Sequence, residues 1–203
     1  MILSDSRLQE LMASGELIID PILHKEYQIQ GAKIDLRLDN VFRVLKAEQV
    51  ECYDPLPKKR DVEENEDVYQ DITVGYKDNF ILHPGSFALG QTFEFVSMPE
   101  TLFGRLEGRS SLGRRGILVH ATAGGVDPGF TGVVCLELFN VGRVPVILHP
   151  LMRIASLTFE EIAGDVGRAY TQQADHKFGG FDIRKAWKKD ADFYNIQESV
   201  GHL

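Results

Sequence analysis

The chain has 203 residues, of which 43% are hydrophobic and 26% charged, and a formal net charge of -8 at pH 7. That length supports one good core with at most a small appendage, and the acidic balance argues against a general nucleic-acid binder. Asp5 follows the start closely and no long apolar stretch occurs, so neither a secretory signal nor a membrane span is expected.

Ser4 is placed to cap a first helix, with Leu8, Leu11 and Met12 on one face and Gly15 as its stop. Apolar runs near 33–46, 80–83, 86–96, 102–107, 117–121, 132–140, 144–148 and 153–160 then predict strands. His83-Pro84-Gly85, Asp127-Pro128-Gly129 and Val141-Gly142-Arg143 punctuate them as turns. Many short strands with regular turn signals indicate an all-β barrel or sandwich, not a parallel sheet. Between them, residues 54–71 hold two prolines and a run of acids (Asp61, Glu63, Glu64, Glu66, Asp67, Asp71) without one base, so a solvated loop is expected. Without those six acids the rest of the chain is close to neutral, and an anionic ligand need not be repelled. Cys52 and Cys135 lie 83 residues apart, which is neither a disulfide framework nor a zinc pattern, and fit a reducing cytoplasm. The six histidines are scattered and receive no role, His120 included.

Gly108-Arg109-Ser110-Ser111-Leu112-Gly113-Arg114-Arg115-Gly116 is the densest cluster of ligand-binding chemistry. Glycines let a backbone approach a ligand, arginine forks grip phosphate oxygens in pairs, and serine hydroxyls add neutral donors. A polyphosphate would suit it; so would a plain basic turn opening a helix, with Ser110 as N-cap. In Val133–Asn140, alternation puts Val133, Cys135, Glu137 and Phe139 on one strand face and Val134, Leu136 and Leu138 on the other. A lone carboxylate among apolar neighbours is costly, and partial desolvation would raise its pKa toward the range used in proton transfer. On periodicity alone, a sheet-edge glutamate with its head in water accounts for Glu137 as well. Asp127, in Asp-Pro-Gly, is by local sequence an ordinary turn residue.

Three motifs in order, GRSSLGR, TAGGVDPGF from Thr122 and VVCLELFN from Val133, resemble the core of the dCTP deaminase family of the dUTPase-like superfamily. The opening ILSDSRLQELMASGELIIDP and the segment KIDLRL are similar to that family's N-terminus, so the likeness covers roughly residues 1–177 apart from the charged insert. It implies a dUTPase-like distorted β-barrel (β-clip) over residues 1–181, a tail of unclear role over 182–203, and a cytoplasmic homotrimer with each site built from neighbouring subunits. It implies hydrolytic deamination of dCTP to dUTP in pyrimidine deoxynucleotide supply, with dUTP a second ligand and dTTP an inhibitor. Glu137 would activate the water that attacks cytosine C4 and then deliver protons to the departing ammonia. Ser110 and the carbonyl of Ala123 would position that water, with Arg114 assisting. Arg109 and Ser111 would lie toward the phosphates, and Leu112, Gly113, Cys135 and Leu136 would line the site. Mg2+ would ride on the triphosphate and not in a protein cage. The P-C-x-x-C mark of zinc deaminases is absent from the sequence, and His24-Lys25-Glu26, which has the H-x-E spacing, has no such cysteine pair to accompany it, which leaves a metal-independent route with Glu137 as proton shuttle.

Two details bear on the product. In the resembled family Asp127 contacts the deoxyribose 3′-hydroxyl, and in members that also cleave the triphosphate it orients a second water. Deaminase-only members carry a His-Arg pair before it and dUMP-forming ones Gly plus an aromatic; Gly124-Gly125 departs from both, with Gly124 leaning toward the bifunctional type. At the C-terminal lid Tyr170 and Lys177 fit, while Phe178 and Phe181 replace an expected tyrosine and glutamine. Lys177-Phe178-Gly179-Gly180-Phe181 resembles instead the glycine-rich tail of dUTPases, or is simply a hinge. The expectation is therefore a dCTP deaminase giving dUTP, with onward cleavage to dUMP and diphosphate left open by the sequence; the alternatives are a dUTPase without deaminase activity and a non-catalytic nucleotide sensor.

Overall fold

The computed structural model describes residues 1–46 and 69–172. Helix α1 (Asp5–Ser14) starts where its cap was expected: the Ser4 side chain accepts from the Arg7 N–H, and Gly15 closes the helix in the left-handed region at φ 81°. Leu8 and Leu11 are buried and Met12 packs against the core.

Strands follow in the expected order: β1 (Ile18–Asp20), β2 (Ile29–Gln30), β3 (Lys33–Arg37), β4 (Val41–Leu45), β5 (Tyr69–Thr73), β6 (Phe80–Leu82), β7 (Phe87–Ser97) and β8 (Leu102–Gly108). After them come β9 (Ile117–Leu118), β10 (Gly125–Val126), β11 (Thr131–Asn140), β12 (Val146–Leu148) and β13 (Arg153–Glu161). Two short helices, α2 (Lys25–Gln28) and α3 (Ser110–Gly113), complete the elements with a 3-10 turn at Tyr170–Gln172. One sheet runs β5-β4-β7-β11-β9 with β1 also on β7, a second runs β10-β8-β13-β3-β2, and β12 pairs with β6. Every pairing is antiparallel. Residues from all three sheets meet in one apolar cluster, including Leu36, Phe42, Leu106, Leu138 and Phe159. Phe42 and Phe80 stack there with centroids 4.1 Å apart. The all-β expectation holds.

Three expectations change. The run 33–46 is not one strand. The Leu38 N–H reaches the Met152 carbonyl at 2.9 Å while the Asp39 N–H reaches Gln91 at 2.9 Å, so the chain passes from one sheet to the other between β3 and β4. The expected loop 54–71 ends earlier than its composition suggests, because Tyr69–Asp71 belong to β5. There Asp71 pairs with the buried Arg43 at 2.9 Å and the Tyr69 ring lies 5.2 Å from the same guanidinium. Residues 54–68 lie outside the described residues. The run 117–121 is a strand only as far as Leu118.

A bulge in β7 shapes the interior. Val133 faces Phe95 but Cys135 faces Gln91, so Thr92, Phe93 and Glu94 bulge against a single residue of β11. Thr92 Oγ1 closes the bulge, accepting from the Val134 N–H at 2.9 Å and donating to the Glu94 carbonyl at 2.8 Å. The Glu94 side chain is thereby turned fully inward. Leu151, between the two sheets, holds φ 65° because its N–H donates to Leu38 at 2.7 Å and its carbonyl accepts from Arg37 at 2.7 Å.

Candidate active site

Glu137 lies on β11, between β7 and β9, and burial along the strand alternates as expected: Val134, Leu136 and Leu138 are inside, while Cys135, Glu137 and Phe139 are half-exposed. Its carboxylate accepts from the Ala121 N–H at 2.6 Å, and its own N–H donates to Val119 at 2.9 Å. The segment from Val119 to Gly124 is thus pinned to β11 at one end; at the other, the Gly124 carbonyl accepts from the Leu106 N–H of β8 at 2.6 Å. Ala123 lies exposed between the two pins. One oxygen of Glu137 is held by a backbone N–H while the side chain stays open to solvent, which orients the carboxylate without closing the site. Beside it, burial and the Glu137 charge push the Cys135 thiol up to about 12. That thiol stays protonated at neutral pH and can line the site but not attack.

The Gly-Ser-Arg segment forms the end of β8 and α3. Its N-cap is Arg109, not Ser110, and no side chain caps it. Leu112 is buried and anchors the segment, whereas Ser110, Ser111, Gly113 and Arg114 are exposed. Among the described residues the side chains of Ser110, Ser111 and Arg114 make no hydrogen bond or ion pair, so their donors are uncommitted. Arg115 is committed, donating to the Ser111 carbonyl at 2.6 Å. Arg109 is committed too, in a way the sequence did not reveal. It pairs with the buried carboxylate of Asp35, which Arg153 also reaches at 3.1 Å and Lys33 at 3.6 Å. Three cations share one carboxylate, so this corner keeps a positive excess suited to an anion.

Asp127 follows β10 and makes no side-chain hydrogen bond or ion pair among the described residues. Gly129, at φ 77°, completes its turn. Tyr170 donates its N–H to Pro128 at 2.9 Å, and its buried ring packs on Phe130 with centroids 5.6 Å apart. It therefore braces the Asp127 turn from below. Gly124 and Gly125 have steric reasons of their own. A Cβ on Gly124 would come 2.7 Å from the Leu106 carbonyl and 3.3 Å from the His120 ring; one on Gly125 would come 2.9 Å from the Phe103 ring. Lys177, Phe178 and Phe181 lie outside the described residues, as does the tail 182–203.

No hydrogen bond or ion pair among the described residues joins Ser110, Ser111 or Arg114 to Glu137 or Asp127. Among the described residues there is also no group of three or more His, Cys, Asp or Glu side chains that could hold a metal ion, and no helix long and apolar enough to cross a membrane. Sequence reasoning missed Asp35, Lys33 and Arg153. The signal was present in the KIDLRL segment, where an aspartate sits between two apolar residues of a strand.

Residues 2–162 match the dCTP deaminase-like family. A relative from Halobacterium salinarum described as "dCTP deaminase, dUMP-forming" is 44% identical over 178 residues, 88% of this chain and 89% of its own. Another of that description, from Dictyoglomus thermophilum, is 40% identical over 98% of this chain and 100% of its own. A relative from Haloarcula marismortui described as "dCTP deaminase" is 40% identical over 95% of this chain and 96% of its own. Among solved structures, 2′-deoxycytidine 5′-triphosphate deaminase from Agrobacterium tumefaciens shares the fold, with a TM-score of 0.61 at 21% identity. The match covers 79% of this chain and 48% of that one, so this chain spans about half its length. The chain belongs to the dCTP deaminase-like family.

Proposed function

We propose that this protein deaminates dCTP hydrolytically and carries the product on to dUMP and diphosphate. The observation that carries the reading is the Glu137 carboxylate, fixed by the Ala121 N–H on a strand whose neighbouring thiol is protonated. It is the group able to shuttle protons at this point of the fold. Glu137 takes a proton from the water that adds to cytosine C4, and protons pass to the amino group as the C4–N bond breaks, leaving uracil and ammonia. Ser110, the Ala123 carbonyl and Arg114 align the water and base; Arg109 and Ser111 hold the phosphates, and Asp127 holds the 3′-hydroxyl and then a second water at the α-phosphate. Leu112, Gly113, Cys135 and Leu136 line the pocket, and Tyr170, Lys177 and Phe181 close it.

The reading includes a cytoplasmic homotrimer. Its support is that the Ser110 and Arg114 side chains are uncommitted among the described residues of one chain, as donors that complete a neighbouring copy's site would be. The strands flanking β11 also expose Phe87 and Leu118, both in register with Phe139, and Phe95, in register with Val133. Magnesium arrives on the triphosphate as part of the substrate, and dTTP, with the same sugar and phosphates, competes for the site.

The test separates dUTP, dUMP, diphosphate and ammonia after incubation with dCTP or dUTP. Equal ammonia and dUMP from dCTP is the expected result. If dUTP alone forms and added dUTP survives, the enzyme is a deaminase only. If dCTP is inert while dUTP is cleaved, it is a dUTPase and Glu137 loses its role; binding without turnover makes it a sensor.

A further inference from the structure

β3 has a strand partner along only part of one edge. β13 runs beside it on one side, while on the other β2 pairs with it only at Lys33 and Ile34. Beyond Ile34 two side chains do what a strand would. Gln28 Nε2, from α2, donates to the Asp35 carbonyl at 3.2 Å, and Glu94, from the β7 bulge, accepts from the Arg37 N–H at 2.7 Å. The two are tied together, Gln28 Nε2 also donating to the second Glu94 oxygen at 2.9 Å. Gln28 Oε1 accepts from the His24 N–H at 3.0 Å and from Arg37 Nε at 3.4 Å, so both ends of the amide are committed. Both side chains are fully buried, where a fully bonded polar network rigidifies its surroundings. What this strap holds is Asp35. Its buried carboxylate gathers Arg109, Arg153 and Lys33, whose side chains still reach solvent. α2 grips the same corner a second time, since Arg153 Nη1 donates to the Tyr27 carbonyl at 2.8 Å. Buried Gln28 presents no atom to an anion bound there; it fixes Asp35, and Asp35 fixes how the guanidinium groups point.

We propose that Gln28, anchored on Glu94, is a positioning residue for the triphosphate: through Asp35 it holds the Arg109 and Arg153 guanidiniums in the orientation that receives phosphate oxygens. A planar fork binds in pairs only when it is aimed beforehand, and a loosened one must be ordered by the ligand. The proposal rests on the placement of the phosphates at Arg109 made above. Its test is calorimetric binding of dUMP and of the hydrolysis-resistant α,β-imido-dUTP to the full chain with Mg2+, with thermal melts to establish folding. The readout is the ratio of the two affinities, which isolates what the outer phosphates contribute. Gln28→Met keeps the volume and removes both donors; it should leave dUMP affinity alone and lower the ratio by about 3–10-fold, the equivalent of one hydrogen bond passed on to the guanidiniums. In an Arg109→Ala background the same substitution should cost less, because residues acting through one another are not additive. A purely structural glutamine would lower the melting temperature and leave the ratio alone, or lower both affinities together; either outcome overturns the proposal, as does full additivity with Arg109→Ala. Should Gln28→Met fail to fold, Glu94→Gln, whose amide sets an N–H against one of the two donors, must lower the ratio in its place, and an unchanged ratio there is equally fatal. If Arg109→Ala itself leaves the ratio unchanged, the phosphate placement is wrong; if Arg109→Ala lowers it and Gln28→Met does not, the positioning role alone falls.

Discussion

Removing the charge of Glu94 should change how stability depends on pH. Glu94 is fully buried behind the β7 bulge, where Gln28 Nε2 donates to one oxygen at 2.9 Å and the Arg37 N–H to the other at 2.7 Å. Burial disfavours the carboxylate more than these donors and the Arg37 charge favour it, and its pKa rises from 4.5 to about 7. At 1.36 kcal/mol per unit, a rise of that size corresponds to about 3 kcal/mol. Because the folded pKa is the higher one, the native state binds the extra proton. The associated stability is fully present below pH 4.5 and is lost as pH rises through 7. Glu94→Gln has no such proton to lose. Its amide must set an N–H against one of the two donors, so it starts with a deficit of about 1–3 kcal/mol at acid pH. The informative quantity is the change in the gap: between pH 4.5 and pH 8 the variant should gain on wild type by up to about 3 kcal/mol. Urea unfolding of both proteins at the two pH values, at one protein concentration, measures it. A gap that stays constant, or one that widens against the variant as pH rises, would show that the two donors hold the carboxylate ionised and that the reasoning is wrong.

Glu137→Gln should keep the fold and nucleotide affinity but slow ammonia release from dCTP by about 10²–10⁴-fold, and release within a few-fold of wild type removes the shuttle assignment. Arg109→Ala should weaken triphosphate binding by on the order of 1.5–3 kcal/mol, whereas Arg115→Ala, one step beyond the Gly-Arg-Ser-Ser-Leu-Gly-Arg motif and outside the three-cation corner around Asp35, should matter much less. Equal losses in a titration would mean bulk charge, not defined contacts. Leu151→Gly relieves a left-handed backbone costing about 1–2 kcal/mol, less the extra freedom of the unfolded glycine. A net gain of up to about 1 kcal/mol should raise the melting temperature by about 2–4 °C, and a lower one shows that the Leu151 side chain contributes more than its backbone costs.

Local chemistry was legible wherever it alone determines structure. Ser4 and Gly15 bound α1 because a cap and a left-handed stop need only their own residue types. The two faces of β11 follow from alternation, which is why Glu137 could be set on the open face before any coordinates. What failed were features decided by distant partners. Nothing in Leu38-Asp39-Asn40 announces a change of sheet; Met152 and Gln91 impose it. β5 has little apolar content and forms because β4 offers Arg43 to Asp71 and Tyr69. At the site, Glu137 could be chosen but not its Ala121 partner, 16 residues away, nor the Asp35 that holds Arg109 from 74 residues away.

Gly125 shows the same limit most sharply, and with a consequence for how its pattern is interpreted. From sequence it counts as a departure, a place where an aromatic was expected and glycine stands. In the folded chain the space is filled by the Phe103 ring from the facing strand, so a side chain at 125 is sterically redundant, even excluded, at 2.9 Å. One position viewed alone suggests a lost group; the cross-strand neighbour shows that the space beside Gly125 is already filled. The bulk packed against β10 is therefore a property of the β8–β10 pair, to be judged from Phe103 and Gly125 jointly.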